Sequence, residues 1–242
     1  MPLRLLQPAF RLLRGLPSQC AVCRSWPARR VCTPCSARFA QMRLRCRTCA
    51  LGLSTGLPQC AVCVRQPPSL NACFAAVSYG FPWSELIADY KFGGDAAWAG
   101  VFSGLLLQTP GVSAHLAGLA TGDWLIPMPL TAARLQSRGF NQAWELVKTL
   151  AARSGTPARC DARLLVRIKN TQPQARLERQ ARLQNVKGAF VVEPLRAAGL
   201  KGRQVVLVDD VMTSGASLFA AAQALRDAGA SHVTGVVFAR TE

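Results

Sequence analysis

One stretch, Val205-Val206-Leu207-Val208-Asp209-Asp210-Val211-Met212-Thr213-Ser214-Gly215-Ala216-Ser217, constrains the chain more than any other. Four consecutive apolar residues suit a central parallel strand covered on both faces. Asp209 and Asp210 follow at the carboxyl end of that strand, where open α/β sheets bind ligands. Thr213 to Ser217 form a small-residue loop leading into a helix predicted over Leu218 to Ala228 and closed by Gly229. Backbone N–H groups, hydroxyls and the positive end of a helix converge there, a setting for a phosphate. A plain strand-to-helix turn with a capping Thr or Ser has a similar loop. It does not require two carboxylates in front of it.

These residues resemble the ribose-phosphate signature of type I phosphoribosyltransferases. The resemblance implies that Asp209 and Asp210 hold the ribose hydroxyls of phosphoribosyl pyrophosphate. Thr213, Ser214, Gly215, Ala216 and Ser217 then wrap its 5′-phosphate, with Mg²⁺ accompanying the ligand.

Eight of the ten cysteines form four pairs, Cys20/Cys23, Cys32/Cys35, Cys46/Cys49 and Cys60/Cys63, each with two residues between. That spacing lets both sulfurs of a turn face one ion, and eight thiolates suffice for two tetrahedral zinc sites. Consecutive pairing is expected from the short intervals; a cross-brace would alternate the pairs. Four-thiolate sites have no open position and are structural, and metal binding supplies much of the folding free energy of so small a segment. Cys73 and Cys160 lie outside the pattern and are expected as small core residues.

The net charge is +17, which favours a polyanionic partner. The first 84 residues hold eleven Arg and neither Asp nor Glu. Two four-thiolate zinc centres would still leave about +7 there, a surface suited to single-stranded DNA. Trp26 and Phe39 can stack bases or pack the ribbons. Residues 1–19 read as an amphipathic helix, 20–66 as a double zinc ribbon and 70–242 as the α/β domain. No uninterrupted apolar run reaches the roughly 18 residues of a membrane span, and there is no secretory signal, so a cytoplasmic protein is expected.

In the body, strands predicted at Ala72–Tyr79, Trp124–Pro127 and His232–Ala239 alternate with helices at Trp83–Phe92, Ala97–Leu107 and Asn141–Arg153. Such alternation implies a parallel α/β sheet. Pro127, Met128 and Pro129 occupy the place of a pyrophosphate loop, whose backbone N–H groups can meet a diphosphate. Arg138 can clamp phosphate oxygens bidentately. Arg163 to Lys187 carries seven cations, Arg179 and Arg182 among them, against Glu178. It reads as a mobile flap over the site, or as a solvated basic helix or part of a nucleic-acid track.

The cysteine pairs, Tyr90-Lys91-Phe92, Pro127-Met128-Pro129, Arg138-Gly139-Phe140-Asn141-Gln142, Thr171-Gln172, Arg182 with Asn185, and the opening stretch occur in one order. That ordered set resembles the ComF (GntX-like) family. The resemblance implies a type I phosphoribosyltransferase fold behind an N-terminal double zinc ribbon. It further implies a role in DNA uptake and natural transformation, beside single-stranded DNA and a helicase-like partner. Purine-using relatives carry a third carboxylate where this chain has Thr213, a poor general base near neutral pH, which argues against purine salvage. Two classes of function remain open: a phosphoribosyltransferase with an unidentified acceptor, and a module that binds nucleotide or single-stranded DNA without turnover.

Overall fold

The structure is a computed structural model and describes residues 18–54, 56–169 and 188–242. The expected N-terminal helix at 1–19 therefore lies almost wholly outside the described residues, as do Arg179, Arg182 and most of the expected flap. By packing, the chain parts between Gln41 and Met42. The compact units thus do not divide after Gln66, where composition changes.

In the first unit the chain from Ser18 to Ala28 closes through an antiparallel bridge. Cys32 then caps α1 (Thr33–Phe39) in extended backbone, with a proline in the first turn. Cys20 and Cys35 are buried and Cys23 is exposed. Trp26 is 64% exposed, so it packs no ribbon. Phe39 is half-buried, with the Arg38 guanidinium 5.3 Å from its ring centroid.

The second unit opens on a similar arrangement, a bridge from Arg45 to Gly52 and then α2 (Ala61–Arg65), capped by Cys60. Its body runs β1 (Ala72–Ser78), α3 (Trp83–Phe92), α4 (Trp98–Gln108), α5 (Val112–Ala117), β2 (Trp124–Pro127), α6 (Ala132–Arg138) and α7 (Gln142–Ser154). After these come β3 (Arg159–Cys160), β4 (Leu165–Arg167), β5 (Phe190–Val192), β6 (Gln204–Met212), α8 (Ala216–Asp227) and β7 (His232–Arg240). Five strands pair in the order β1-β7-β6-β2-β3, every neighbour parallel. β4 and β5 form a separate antiparallel ribbon. The helices cover both faces, as a parallel sheet requires.

Alternation along β6 divides the core. Val205 and Leu207 pack with Leu218, Ala221 and Leu225 of α8, with Phe190, and with Cys46, Cys49, Cys60 and Cys63. The second four cysteines are thus part of the large unit's core. On the opposite face Phe238 stacks on Phe102 at 4.0 Å, and Tyr90 and Trp83 pack edge-on against that pair. Asp123 sets the register where three strands begin. Its carboxylate accepts from Gln204 N and Ala120 N, and its carbonyl from Arg159 N. Cys73 is buried as expected, and burial pushes its thiol up to about 12. Cys160 is instead exposed, because β3 is a two-residue strand at the sheet edge.

Candidate functional site

The chain leaving β2 returns to the sheet at β3, on one side, while the chain leaving β6 returns at β7, on the other. β2 and β6 are neighbours, so the connections diverge between them. A crevice opens at such a switch point, outside the carboxyl ends of the strands. Pro127 pairs with Val208, which puts the start of the Met128–Thr131 loop beside the acid doublet.

β6 continues through both carboxylates to Met212, so they stand inside the paired strand and not beyond it. Consecutive strand residues face opposite sides. Asp210 is 7% exposed, and its Oδ2 lies 2.8 Å from Lys91 Nζ at the end of α3. Asp209 is half-buried and accepts from the Asp210 N–H through Oδ1. Burial, and then the Asp210 charge, pushes the Asp209 carboxyl up to about 8, against the pull of Lys91. Burial and the neighbouring charge thus favour the protonated form of Asp209, while Lys91 stands against Asp210.

The loop after β6 departs from expectation in extent. Gly215 caps the helix in left-handed backbone, at φ 82°, and Ala216 and Ser217 belong to the first turn of α8. A Cβ at Gly215 would meet the movable side-chain ends Met212 Cε at 2.6 Å and Phe219 Cζ at 2.7 Å, and the positive φ is what favours glycine here. Thr213 is exposed, and Ser214 and Ser217 are half-buried, so packed side chains do not seal the bend. The Ser214 hydroxyl accepts from Ala216 N at 3.4 Å, a weak turn closure.

The Pro127–Pro129 segment is corrected in its chemistry. Neither proline has an N–H, and the Met128 N–H donates to Val208 O. These three residues present no spare backbone donor. Asn141 ties that segment to α7: its Nδ2 donates to Met128 O, and its Oδ1 accepts from Ala143 N.

Arg138 ends α6, and Gly139 turns the chain away in left-handed backbone. The guanidinium donates to Gln142 Oε1 and lies 5.2 Å from the Phe92 ring centroid. Burial lowers its pKa from the ordinary value while Asp210, and less strongly Asp209, pull it back. Tyr90 reaches the same region, its hydroxyl donating to Gln142 O at 2.6 Å. Arg167, on β4, also feels the charge of Asp209. Lys91 contacts the doublet directly, and Arg138 and Arg167 lie close enough to feel its charge.

Sequence reasoning missed two residues. Lys91 stood in the Tyr90-Lys91-Phe92 motif without a role. Arg240 closes β7 and is 6% exposed; a charge after the apolar run Val236–Ala239 was its signal.

Cys20, Cys23, Cys32 and Cys35 form one group and Cys46, Cys49, Cys60 and Cys63 the other, with the sulfurs of each within 4.8 Å of one another. Consecutive pairs are thus the ones brought together. Cys23 and Cys32 sulfurs are 3.6 Å apart, and those of Cys49 and Cys60 are 3.7 Å apart. Tetrahedral zinc, with bonds of about 2.3 Å, spaces its sulfurs by about 3.8 Å. Each group can hold such an ion. No described helix is long and apolar enough to cross a membrane.

Residues 163–242 match the phosphoribosyl transferase domain family. The chain is 31% identical over 205 residues to DNA utilization protein YhgH of Salmonella typhi, across 84% of this chain and 87% of the relative. To competence protein F of Haemophilus influenzae it is 28% identical over 203 residues, covering 84% and 87%. To competence protein ComFC of Bacillus subtilis it is 26% identical over 218 residues, covering 84% and 80%. The fold is the one the resemblance implied, a type I phosphoribosyltransferase sheet preceded by two four-cysteine groups. An identity of 31% sustained across most of both chains exceeds what a shared fold requires, and the chain belongs to the ComF (GntX-like) family.

Proposed function

We propose that this protein binds phosphoribosyl pyrophosphate with Mg²⁺ in the crevice between β2 and β6. The ribose hydroxyls donate to Asp209 and Asp210, and the 5′-phosphate lies in the bend from Thr213 to Ser217. The observation that carries this reading is an acid doublet followed by an uncovered loop-to-helix turn at the switch point of a parallel sheet. Ribose hydroxyls are neutral donors, so the Lys91–Asp210 pair can persist beside them. Arg138, held by Gln142 and Phe92, faces the diphosphate end, with Mg²⁺ offsetting further charge there.

In the enzymatic form an acceptor atom bonds to C1′ as the bond from C1′ to the diphosphate oxygen breaks and diphosphate leaves. Positioning and electrostatics then carry catalysis. Thr213 supplies no base, which keeps the non-catalytic form of the same site as the second reading. Calorimetry with phosphoribosyl pyrophosphate and Mg²⁺ tests the site, and diphosphate release over a panel of bases separates the two forms. Binding should be lost in Asp209→Asn/Asp210→Asn. A wild-type chain that binds nothing overturns both.

The cysteine groups are read as zinc sites. The competence names of two relatives favour a role in DNA uptake, and the family resemblance adds single-stranded DNA, a helicase-like partner and a cytoplasmic location to the proposal. Trp26 supports the DNA part, an exposed aromatic among Arg24, Arg29 and Arg30. Affinity for single-stranded DNA should fall steeply with salt.

A further inference from the structure

We propose that Arg240 is a positioning residue that couples the second four-cysteine centre to the phosphate bend, so that metal at the one and ligand at the other strengthen each other. The inference rests on the phosphate-binding reading above.

Arg240 joins two places far apart in sequence. Its Nε donates to Cys49 O at 3.0 Å. One Nη donates to Met212 O at 3.3 Å, and also to Thr213 O and Thr241 O. The Thr241 N–H adds a second donor to Met212 O. Cys49 belongs to the cysteine centre, and Met212 and Thr213 open the bend.

Two physical consequences follow. In a trans peptide the carbonyl and the next N–H point in opposite directions. Holding the Met212 and Thr213 carbonyls towards Arg240 therefore turns the N–H groups of Thr213 and Ser214 away from it, as donors for an anion in the bend. The second consequence concerns charge. A buried guanidinium needs compensation, and among the described residues the oxygen partners of Arg240 are carbonyls and the Thr241 hydroxyl. Cys46, Cys49, Cys60 and Cys63 around a divalent ion would carry a net double negative charge on the loop that supplies Cys49 O. Loss of the metal would remove the tie that joins the four cysteines, and with it support for the loop that offers Cys49 O to Arg240.

A second strut grips the same loop. Glu242 accepts from Gly52 N at 2.9 Å and pairs with Arg45, which donates to Ala50 O at 3.0 Å. Residues 240–242 thus strap the cysteine centre to the end of the sheet that carries the bend.

Binding linkage is reciprocal, so ligand must protect metal as much as metal supports ligand. The test uses the full chain carrying Cys20→Ser/Cys23→Ser, which leaves the second centre as the four-cysteine site. Calorimetry first establishes that this chain binds phosphoribosyl pyrophosphate with Mg²⁺. Zinc release to a chromogenic chelator is then followed with and without saturating ligand. The expected result is release slowed by about tenfold with ligand present. Arg240→Gln, which keeps hydrogen-bond donors but removes the charge, should lose that protection and weaken ligand binding by a similar factor. Arg240→Lys should show an intermediate effect, and it serves if the glutamine variant does not fold. Ligand that binds the wild type but leaves zinc release unchanged overturns the coupling and spares the site. No binding to the wild type removes the site and this inference with it.

Discussion

Lys91 Nζ stands 2.8 Å from Asp210 Oδ2, and both side chains are largely screened from water, so a helix end on one face of the sheet is tied to the inner carboxylate of the doublet. Removing the cation leaves a buried carboxylate unpaired. Lys91→Met should therefore lower stability by about 2–4 kcal/mol. Asp210→Asn in the same chain should recover part of the loss. Urea unfolding of the two single variants and the double variant measures the coupling directly. A Lys91→Met chain as stable as the wild type would show the pair to be energetically idle.

Asp209 predicts a pH dependence. Its folded value of about 8 lies above the ordinary carboxylate value, so the folded state holds a proton that the unfolded state has released. Stability from this group is fully present below about pH 4 and is lost as pH rises towards about 8. Asp209→Asn should flatten the fall in melting temperature between those limits. At pH 8 it should also stabilise the ligand-free protein by about 1–3 kcal/mol. Calorimetric melting across that range checks the sign; a variant with an unchanged slope refutes it.

Gly215 carries positive φ and sits where a methyl group meets Met212 and Phe219. Gly215→Ala should cost about 1–3 kcal/mol from backbone strain and crowding. It should also weaken phosphoribosyl pyrophosphate binding by more than that loss of stability explains, since the bend itself shifts. Calorimetric titration at a temperature where the variant is fully folded separates the two effects.

The two cysteine groups should respond differently to mutation. Metal analysis should find two zinc ions per chain. Cys46→Ser/Cys49→Ser should lower the melting temperature of the large unit, because these cysteines pack with Val205, Leu207 and the helix after the bend. Cys20→Ser/Cys23→Ser belongs to the other compact unit and should leave that transition in place. Thermal melts with zinc quantified on the same samples decide the matter.

Much of the architecture was legible in local pattern. The alternation from Ala72 and the apolar face of Asn141–Arg153 became the expected strand and helix within two residues, and the run Val205–Val208 became a strand that continues four residues further, to Met212. Period and burial are local properties, and the residues carrying them are contiguous. The cysteine pairs were legible for the same reason, since a two-residue spacing is itself the geometry of a metal-binding turn. The donor shortage at Pro127–Pro129 was half written there too, in the prolines. The other half, the Met128 N–H spent on Val208, needed the pairing of β2 with β6.

The sequence by itself determined the composition of the site: an acid doublet, a loop with a glycine, hydroxyls at a helix mouth and eight paired thiols. Tertiary structure alone decided which cation meets which carboxylate, and that a buried arginine links a cysteine centre to the bend. Lys91 and Asp210 lie far apart along the chain, as do Cys49 and Arg240, and they meet only because strand order and crossover connections bring them together. No local propensity encodes such a meeting. Its consequences, a carboxyl raised by burial and a buried guanidinium held by backbone carbonyls, arise from the low-dielectric surroundings that folding creates.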